Sequence, residues 1–206
     1  MKNIAVFASG NGTNLQAIID HIAKGSLRAN LALVLSDRQD AFALKRARRA
    51  GVNALYVDPK KFETRRDYEA FIVGLLKEKK VDLVVLAGFM RILSPYFVKK
   101  YRNRILNIHP ALLPAFKGGS AIQDAFRYGA KVTGVTVHFV DEKVDHGPII
   151  AQEPVSIRDR ETVKQLEARI HRLEHKIYSE AIASVLSRRF VIKQRRIILR
   201  VSGERS

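Results

Sequence analysis

The chain has 206 residues, 47% of them hydrophobic and 28% charged, with 37 Lys and Arg against 20 Asp and Glu, a formal net charge of +17 and no cysteine. That length predicts one domain with a proper core, and the apolar fraction excludes disorder for the bulk of the chain. Disulfides, Cys-ligated zinc and a thiol nucleophile are excluded, and no apolar run approaches the ~20 residues of a membrane span. In chain order, Ile4 to Ala8 is a short apolar strand that stops at Ser-Gly-Asn-Gly-Thr-Asn (Ser9 to Asn14). Leu15, Ile18, Ile19 and Ile22 then mark one helix face. A second strand (Leu31 to Leu35), a helix (about Ala41 to Ala50, ended by Gly51) and a third strand (Ala54 to Val57) follow. Thr64 is placed to cap a helix carrying Tyr68, Phe71, Ile72, Leu75 and Leu76 on one face. Leu83 to Ala87 reads as a strand covered on both faces.

Beyond a short helix at Pro95 to Lys100, Ile105 to Ile108 is a strand running into His109-Pro110. Val135, Val137 and Phe139 share one face of a longer strand between Val132 and Val140, expected to be antiparallel, and Ile149 to Ile157 is its candidate partner. Leu166, Ile170, Leu173, Ile177, Ala181 and Val185 place a long helix over about Glu161 to Ser187. Phe190-Val-Ile and Ile197-Ile-Leu read as a small hairpin or an exposed basic tail. Repeated strand–helix alternation predicts a single α/β domain over 1–206, with a mostly parallel sheet flanked by helices and an antiparallel extension in the C-terminal half.

Much of the charge is local. From Arg188 onward stand Arg188, Arg189, Lys193, Arg195, Arg196, Arg200 and Arg205 against Glu204, and the rest carries 30 basic against 19 acidic residues, a net +11. The sequence holds no zinc finger, basic zipper or aromatic RNA-binding signature, so small anionic ligands are expected ahead of nucleic acid. The opening MKNIAVFASGNG has too short an apolar stretch for a signal peptide, which predicts a cytoplasmic protein.

Three segments carry candidate chemistry. Gly10-Asn-Gly-Thr-Asn14 lies where a strand end meets a helix N-terminus, where free backbone N–H groups and the helix dipole favour a phosphate. It is neither a Walker loop nor a full dinucleotide fingerprint, since Leu15 stands where the third glycine would fall; a tight turn without a ligand is the alternative. Asn107 and His109, two apart at the carboxyl end of a buried strand, converge on one pocket, as an oxyanion donor and a proton donor or acceptor. Asp145, on a turn between two strands, is placed to hold the imidazole and favour its charged form. Gly88-Phe-Met-Arg-Ile-Leu93 is either a strand cap with Phe89 and Met90 in the core, or a wall for a flat heterocycle. His171-Arg-Leu-Glu174-His175 matches an inverted zinc-protease pattern, but no third ligand is evident and no metal is expected.

Together, Ser9-Gly-Asn-Gly-Thr-Asn14, Leu86-Ala-Gly-Phe-Met-Arg91, Asn107-Ile-His-Pro110 with Leu112-Leu-Pro114, and Val137-His-Phe-Val140 followed by Asp145-x-Gly-Pro148 resemble the phosphoribosylglycinamide formyltransferase family. The resemblance spans residues 4 to about 180 and implies formyl transfer from 10-formyltetrahydrofolate to glycinamide ribonucleotide in purine synthesis, through a tetrahedral intermediate. It implies a Rossmann-like, nucleotide-holding half (about 1–100) and a catalytic and folate-binding half (about 101–188), and leaves the basic tail or hairpin (189–206) outside it. Catalysis would fall to Asn107, His109 and Asp145. The nucleotide would be bound by Gly12, Thr13, Asn14 and the segment His171, Arg172, Leu173, Glu174, with Glu174 on the ribose. The folate would meet Arg65 (with Arg66 as the alternative, Arg65 being the one that follows a hydroxyl residue, Thr64), Met90, Arg91, Ile92, Leu93, Asn107 and the loop Asp141, Glu142, Lys143, Val144, Asp145. The expected assembly is a monomer or a homodimer.

The sequence also departs from the family. His146 stands where a small residue is usual, Ala111 replaces a common Ser, and Gly119-Ser120 replaces Leu-His, a segment to which no function is assigned. The alternatives are formyltetrahydrofolate hydrolysis or formylation of another amine. The hydrolases carry an N-terminal regulatory domain and the tRNA formyltransferases an RNA-contacting C-terminal domain, and neither extension is expected here. An inactive scaffold or a nucleic-acid binder acting through the tail is the reading from another class.

Overall fold

Alternation along the strands sets the layers. In the computed structural model, which describes residues 1–187 and 190–199, β1 (Lys2–Phe7) sends Ile4 and Val6 to one face and Ala5 and Phe7 to the other, all fully buried. The other elements are α1 (Thr13–Ala23), β2 (Ala29–Ser36), α2 (Phe42–Arg49), β3 (Ala54–Tyr56), α3 (Arg65–Glu78), β4 (Leu83–Leu86), α4 (Pro95–Lys100) and β5 (Ile105–His109). They are followed by α5 (Ala121–Tyr128), β6 (Val132–Phe139), β7 (Ile149–Ser156), α6 (Val163–Ser187), β8 (Phe190–Lys193) and β9 (Arg196–Leu199). A one-turn 3-10 helix covers Pro59–Lys61. Of the basic tail residues, Arg188, Arg189, Arg200 and Arg205, with Glu204, lie outside the described residues.

Seven strands form one sheet in the order β3-β2-β1-β4-β5-β6-β7, with β8 and β9 as a separate hairpin. Pairing is parallel from β3 through β5 and antiparallel where β6 joins β5 and β7 joins β6. The chain winds outward from β1 to β3 and returns to place β4 beside β1. That reversal opens a crevice at the carboxyl ends of β1 and β4, the usual ligand position in such sheets. Helices α1, α2 and α6 cover one face through Leu15, Ile18, Ala43, Ala47, Leu166, Ile170 and Ile177. On the other face α3 and α4 pack Tyr68, Ile72, Leu76, Phe97 and Val98 over β1 and β4.

One relationship prepares the site. On β5 and β6, Leu106, Ile108, Val135, Val137 and Phe139 join the core under α6. Strand alternation then turns Asn107, His109, Thr136 and His138 to the opposite face, beyond the cover of α3 and α4. Polar groups therefore stand where the rest of that face is apolar, and they are buried under loops: His109 is 4% exposed and His138 2%. Tyr178 of α6 ties the neighbouring strand ends, its hydroxyl donating to Leu86 O at 2.8 Å and Leu106 O at 3.1 Å.

Candidate active site

The glycine loop is set by backbone geometry. Gly12 adopts φ 72°, the left-handed region, and caps α1 without any side-chain hydrogen bond. A Cβ there would stand 2.7 Å from Cβ of Ala43, so the glycine lets α1 start against α2 as well as leaving the loop open to an anion. Arg46 of α2 holds the loop from behind, Nε donating to Asn11 O at 2.8 Å and Nη2 to Asn11 Oδ1 at 3.1 Å. Asn14, in the first turn of α1, donates Nδ2 to Glu174 Oε2 at 3.2 Å. His171 donates Nδ1 to the same oxygen at 2.9 Å, which raises the His171 pKa above its usual 6.5. Oδ1 of Asn14 is buried without a hydrogen-bond partner among the described residues, an acceptor suited to a ligand hydroxyl.

Ser9 joins this loop to the next. Its hydroxyl donates to Asp37 Oδ1 at 2.6 Å and accepts the Met90 N–H at 2.9 Å. Beyond β4, Met90 and Ile92 are 74% and 65% exposed, so the wall reading fits these two side chains and a core position for Met90 does not. Leu93 instead belongs to the core under α3 and α4. The Arg91 guanidinium lies 5.3 Å over the Tyr68 ring. Arg65 is fixed by Glu69 at 3.3 Å and donates Nη2 to Ile92 O, while buried Glu69 also accepts the Ser94 N–H at 2.8 Å.

At the end of β5 the polar groups meet around one carboxylate. Asp145 Oδ2 lies 3.4 Å from His109 Nδ1 and accepts the Gly118 N–H at 2.9 Å. Oδ1 lies 3.7 Å from His138 Nε2 and accepts Asn107 Nδ2 at 3.4 Å. Burial alone would raise the Asp145 pKa, but His138, the Gly118 N–H and the His109 ring hold it below the usual carboxylate value. His109 Nε2 donates to Phe116 O at 2.7 Å, and Asn107 Nδ2 also lies 3.3 Å from His138 Nε2. Thr136 anchors the segment after His109, donating to Ala111 O at 2.6 Å and accepting the Leu113 N–H at 3.1 Å. A buried carboxylate orients an imidazole beside an amide N–H, which equips the site to stabilise negative charge on a carbonyl oxygen.

A family profile described as "Formyl transferase" matches residues 2–182. The chain is 42% identical over 186 residues to the phosphoribosylglycinamide formyltransferase of Bacillus subtilis, covering 90% of this chain and 95% of that one. The chain belongs to the formyl transferases, and among them to the phosphoribosylglycinamide formyltransferases. The crystal structure of glycinamide ribonucleotide transformylase 1 from Symbiobacterium toebii superposes with a TM-score of 0.92 at 48% identity, covering 97% of this chain and 94% of that one. The human trifunctional purine biosynthetic protein adenosine-3 is 44% identical over 184 residues, which is 89% of this chain and 18% of that longer protein.

In this formyltransferase the residues expected from sequence form three groups. Asn107, His109 and Asp145 come together in one cluster. Asn14, His171 and Glu174 meet at the N-terminus of α1, whereas Arg172 turns out to solvent with Nε on Ala168 O and Leu173 packs on the main core. In the Asp141–Asp145 loop, Glu142, Lys143 and Val144 are exposed, and Asp141 accepts the Lys143 N–H at 3.0 Å and His146 Nδ1 at 2.6 Å. His175 of the zinc-like pattern has Nε2 buried and unpaired, and among the described residues no group of three His, Asp or Glu is arranged to hold a metal.

Sequence reasoning passed over three contributors. His138 stands in the motif Val137-His-Phe-Val140 without a role of its own. Phe116 and Gly118 act through a backbone carbonyl and N–H that no side chain announces, next to the segment given no function. The structure also places α5 over Ala121–Tyr128, a helix not read from the sequence.

Proposed function

We propose that the chain transfers the formyl group of 10-formyltetrahydrofolate to the glycine amine of glycinamide ribonucleotide in de novo purine biosynthesis, yielding formylglycinamide ribonucleotide and tetrahydrofolate. The observation that carries this reading is the cluster of Asn107, Asp145 and buried His109 at the end of β5, in a chain whose relatives bear that enzyme's name. Two features fit the substrates. The uncapped start of α1 with the unpaired Oδ1 of Asn14 and the Glu174 carboxylate suits a ribose phosphate. The exposed Met90 and Ile92 with anchored Arg65 suit a flat heterocycle carrying a carboxylate tail. By the same reading the loop Asp141 to Asp145 closes the folate side.

When bound, the folate supplies an activated formyl carbon for attack by the glycine amine. Asn107 would donate its amide N–H to the formyl oxygen as negative charge gathers there. His109 would turn Nε2–H from the Phe116 carbonyl, which holds it at 2.7 Å, toward the same oxygen. Asp145 fixes the His109 ring from the Nδ1 side, and its depressed pKa keeps the carboxylate charged at neutral pH. As the new C–N bond forms and the folate C–N bond breaks, one proton passes from the amine to the leaving nitrogen, through His109 or a water beside Asp145. The chemistry asks for no metal and no covalent enzyme intermediate. We place the enzyme in the cytoplasm, as a monomer or a homodimer, with small-molecule partners ahead of nucleic acid.

The test is a folate-product absorbance assay with and without glycinamide ribonucleotide. Turnover that requires the nucleotide and yields one formylated product per tetrahydrofolate is the expected result. Folate turnover without the nucleotide would instead show the hydrolase, and no turnover with either would overturn the substrate assignment.

A further inference from the structure

The basic C-terminal hairpin reaches the loop that carries Asp145. Arg195, in the turn between β8 and β9, places Nη1 3.0 Å from His146 Nε2 and 3.2 Å from Nδ1, and donates Nη2 to the His146 carbonyl. On its other side His146 presents Nδ1 to Asp141 Oδ2 at 2.6 Å. With the Nδ1 hydrogen on that carboxylate, the lone pair of Nε2 is free to accept from the guanidinium. The imidazole thus bridges an acid at the start of the loop to an arginine outside it.

The loop has reason to need holding. Asp145 sits at φ 46°, a left-handed conformation that is strained for a non-glycine residue. Gly147 passes so close to β6 that a Cβ would stand 1.8 Å from Phe139 O. His146 lies between these two constrained positions, so its placement governs how Asp145 is presented to His109. The hairpin is a firm anchor for it: the Phe190 ring lies 5.1 Å from that of buried Phe139, and Ile192 and Ile197 pack on the main core.

We propose that Arg195 is a positioning residue for formyl transfer, strapping the 141–147 loop to the terminal hairpin through His146. The inference rests on the reading of that loop as the folate side of the site. It joins two features that the reaction by itself leaves unexplained, the histidine beside Asp145 and the basic hairpin. The strap acts on the donor side alone, because the nucleotide groups Asn14, His171 and Glu174 lie on α1 and α6.

The experiment compares the full chain with Arg195→Met, His146→Ala, the double variant and Arg196→Met as a control in the same hairpin. Hydrogen exchange of the 141–147 amides is measured without substrates, and KM is measured for each substrate. Arg195→Met is expected to speed exchange of the loop and raise the folate KM about three- to tenfold with the nucleotide KM unchanged. His146→Ala is expected to act in the same direction while leaving the Arg195 bond to the backbone carbonyl at that position, and the double variant to fall short of the sum of the two, since the contact between ring and guanidinium is shared. Arg196→Met is expected to change neither. Unchanged exchange in Arg195→Met, equal movement of both KM values, or additive single effects would each overturn the proposal. Exchange decides on the strap even if the wild-type chain shows no nucleotide-dependent transfer, a result that would count against the reaction.

Discussion

Asp145 and His109 face each other through Oδ2 and Nδ1 at 3.4 Å, with both side chains under 10% exposed. Removing the charge while keeping the shape, in Asp145→Asn, is expected to lower kcat by about 10²-fold or more, because the imidazole loses the partner that fixes its orientation. Acid stability tests the same group. Its pKa is depressed by folding, so its contribution is complete above the unfolded value of 3.8 and is lost as pH falls through the lower folded value. Thermal melts should therefore decline more steeply below about pH 4 in the wild type than in Asp145→Asn.

Gly12→Ala should cost about 1–3 kcal/mol for the left-handed conformation, and the new Cβ must push Ala43 away. The displaced start of α1 would also raise the nucleotide KM. Gly10, with negative φ and nothing within 4 Å of an added Cβ, is the control, and Gly10→Ala should stay within about 0.5 kcal/mol. Chemical denaturation of the two variants checks the difference.

The strands and the placement of Asn107 and His109 were legible because burial writes itself as apolar runs. Leu83 to Leu86 is continuously apolar, and in Ile105 to Ile108 only Asn107 interrupts the run, two residues before His109 at the strand end. Thr64 was legible as a cap and accepts the Asp67 N–H at 3.1 Å. His138 was hidden because alternation beside Val137 turns it away from the core without saying what it meets on the other face. Helix α5 was hidden by weak signals, with three buried apolar residues, glycines just before it and no side-chain cap. His146 could be seen as a departure, but its partner Arg195 lies 49 residues on, a pairing that only the folded chain displays.

Glu174→Ala removes the acceptor shared by Asn14 and His171. Losing a hydrogen bond to a charged acceptor is worth about 1.5–3 kcal/mol, so the nucleotide KM should rise about tenfold or more with the folate KM unchanged. The His171–Glu174 bond also has a pH signature. Because the His171 pKa is raised, the stabilisation is complete below 6.5 and is lost as pH rises through the folded value. The difference in melting temperature between wild type and His171→Gln should therefore shrink as pH rises from about 6 to 9.

Tyr178→Phe deletes the hydroxyl that bridges Leu86 O and Leu106 O inside the core. Two buried carbonyls lose their shared donor at almost constant volume, a loss of about 1–3 kcal/mol. Calorimetry should show a melting temperature lower by a few degrees for a chain of this size, and an unchanged value would contradict the bridging role.

The most direct measurement is the single-turnover rate of formyl transfer to glycinamide ribonucleotide, with both substrates saturating, in wild type, His109→Ala and Asn107→Ala. Each variant should lose about 10²–10³ in rate at saturation, His109→Ala while binding both substrates as before, and the double variant should lose less than the product of the two. A His109→Ala enzyme that transfers formyl at the wild-type rate would contradict the assignment of chemistry to the end of β5.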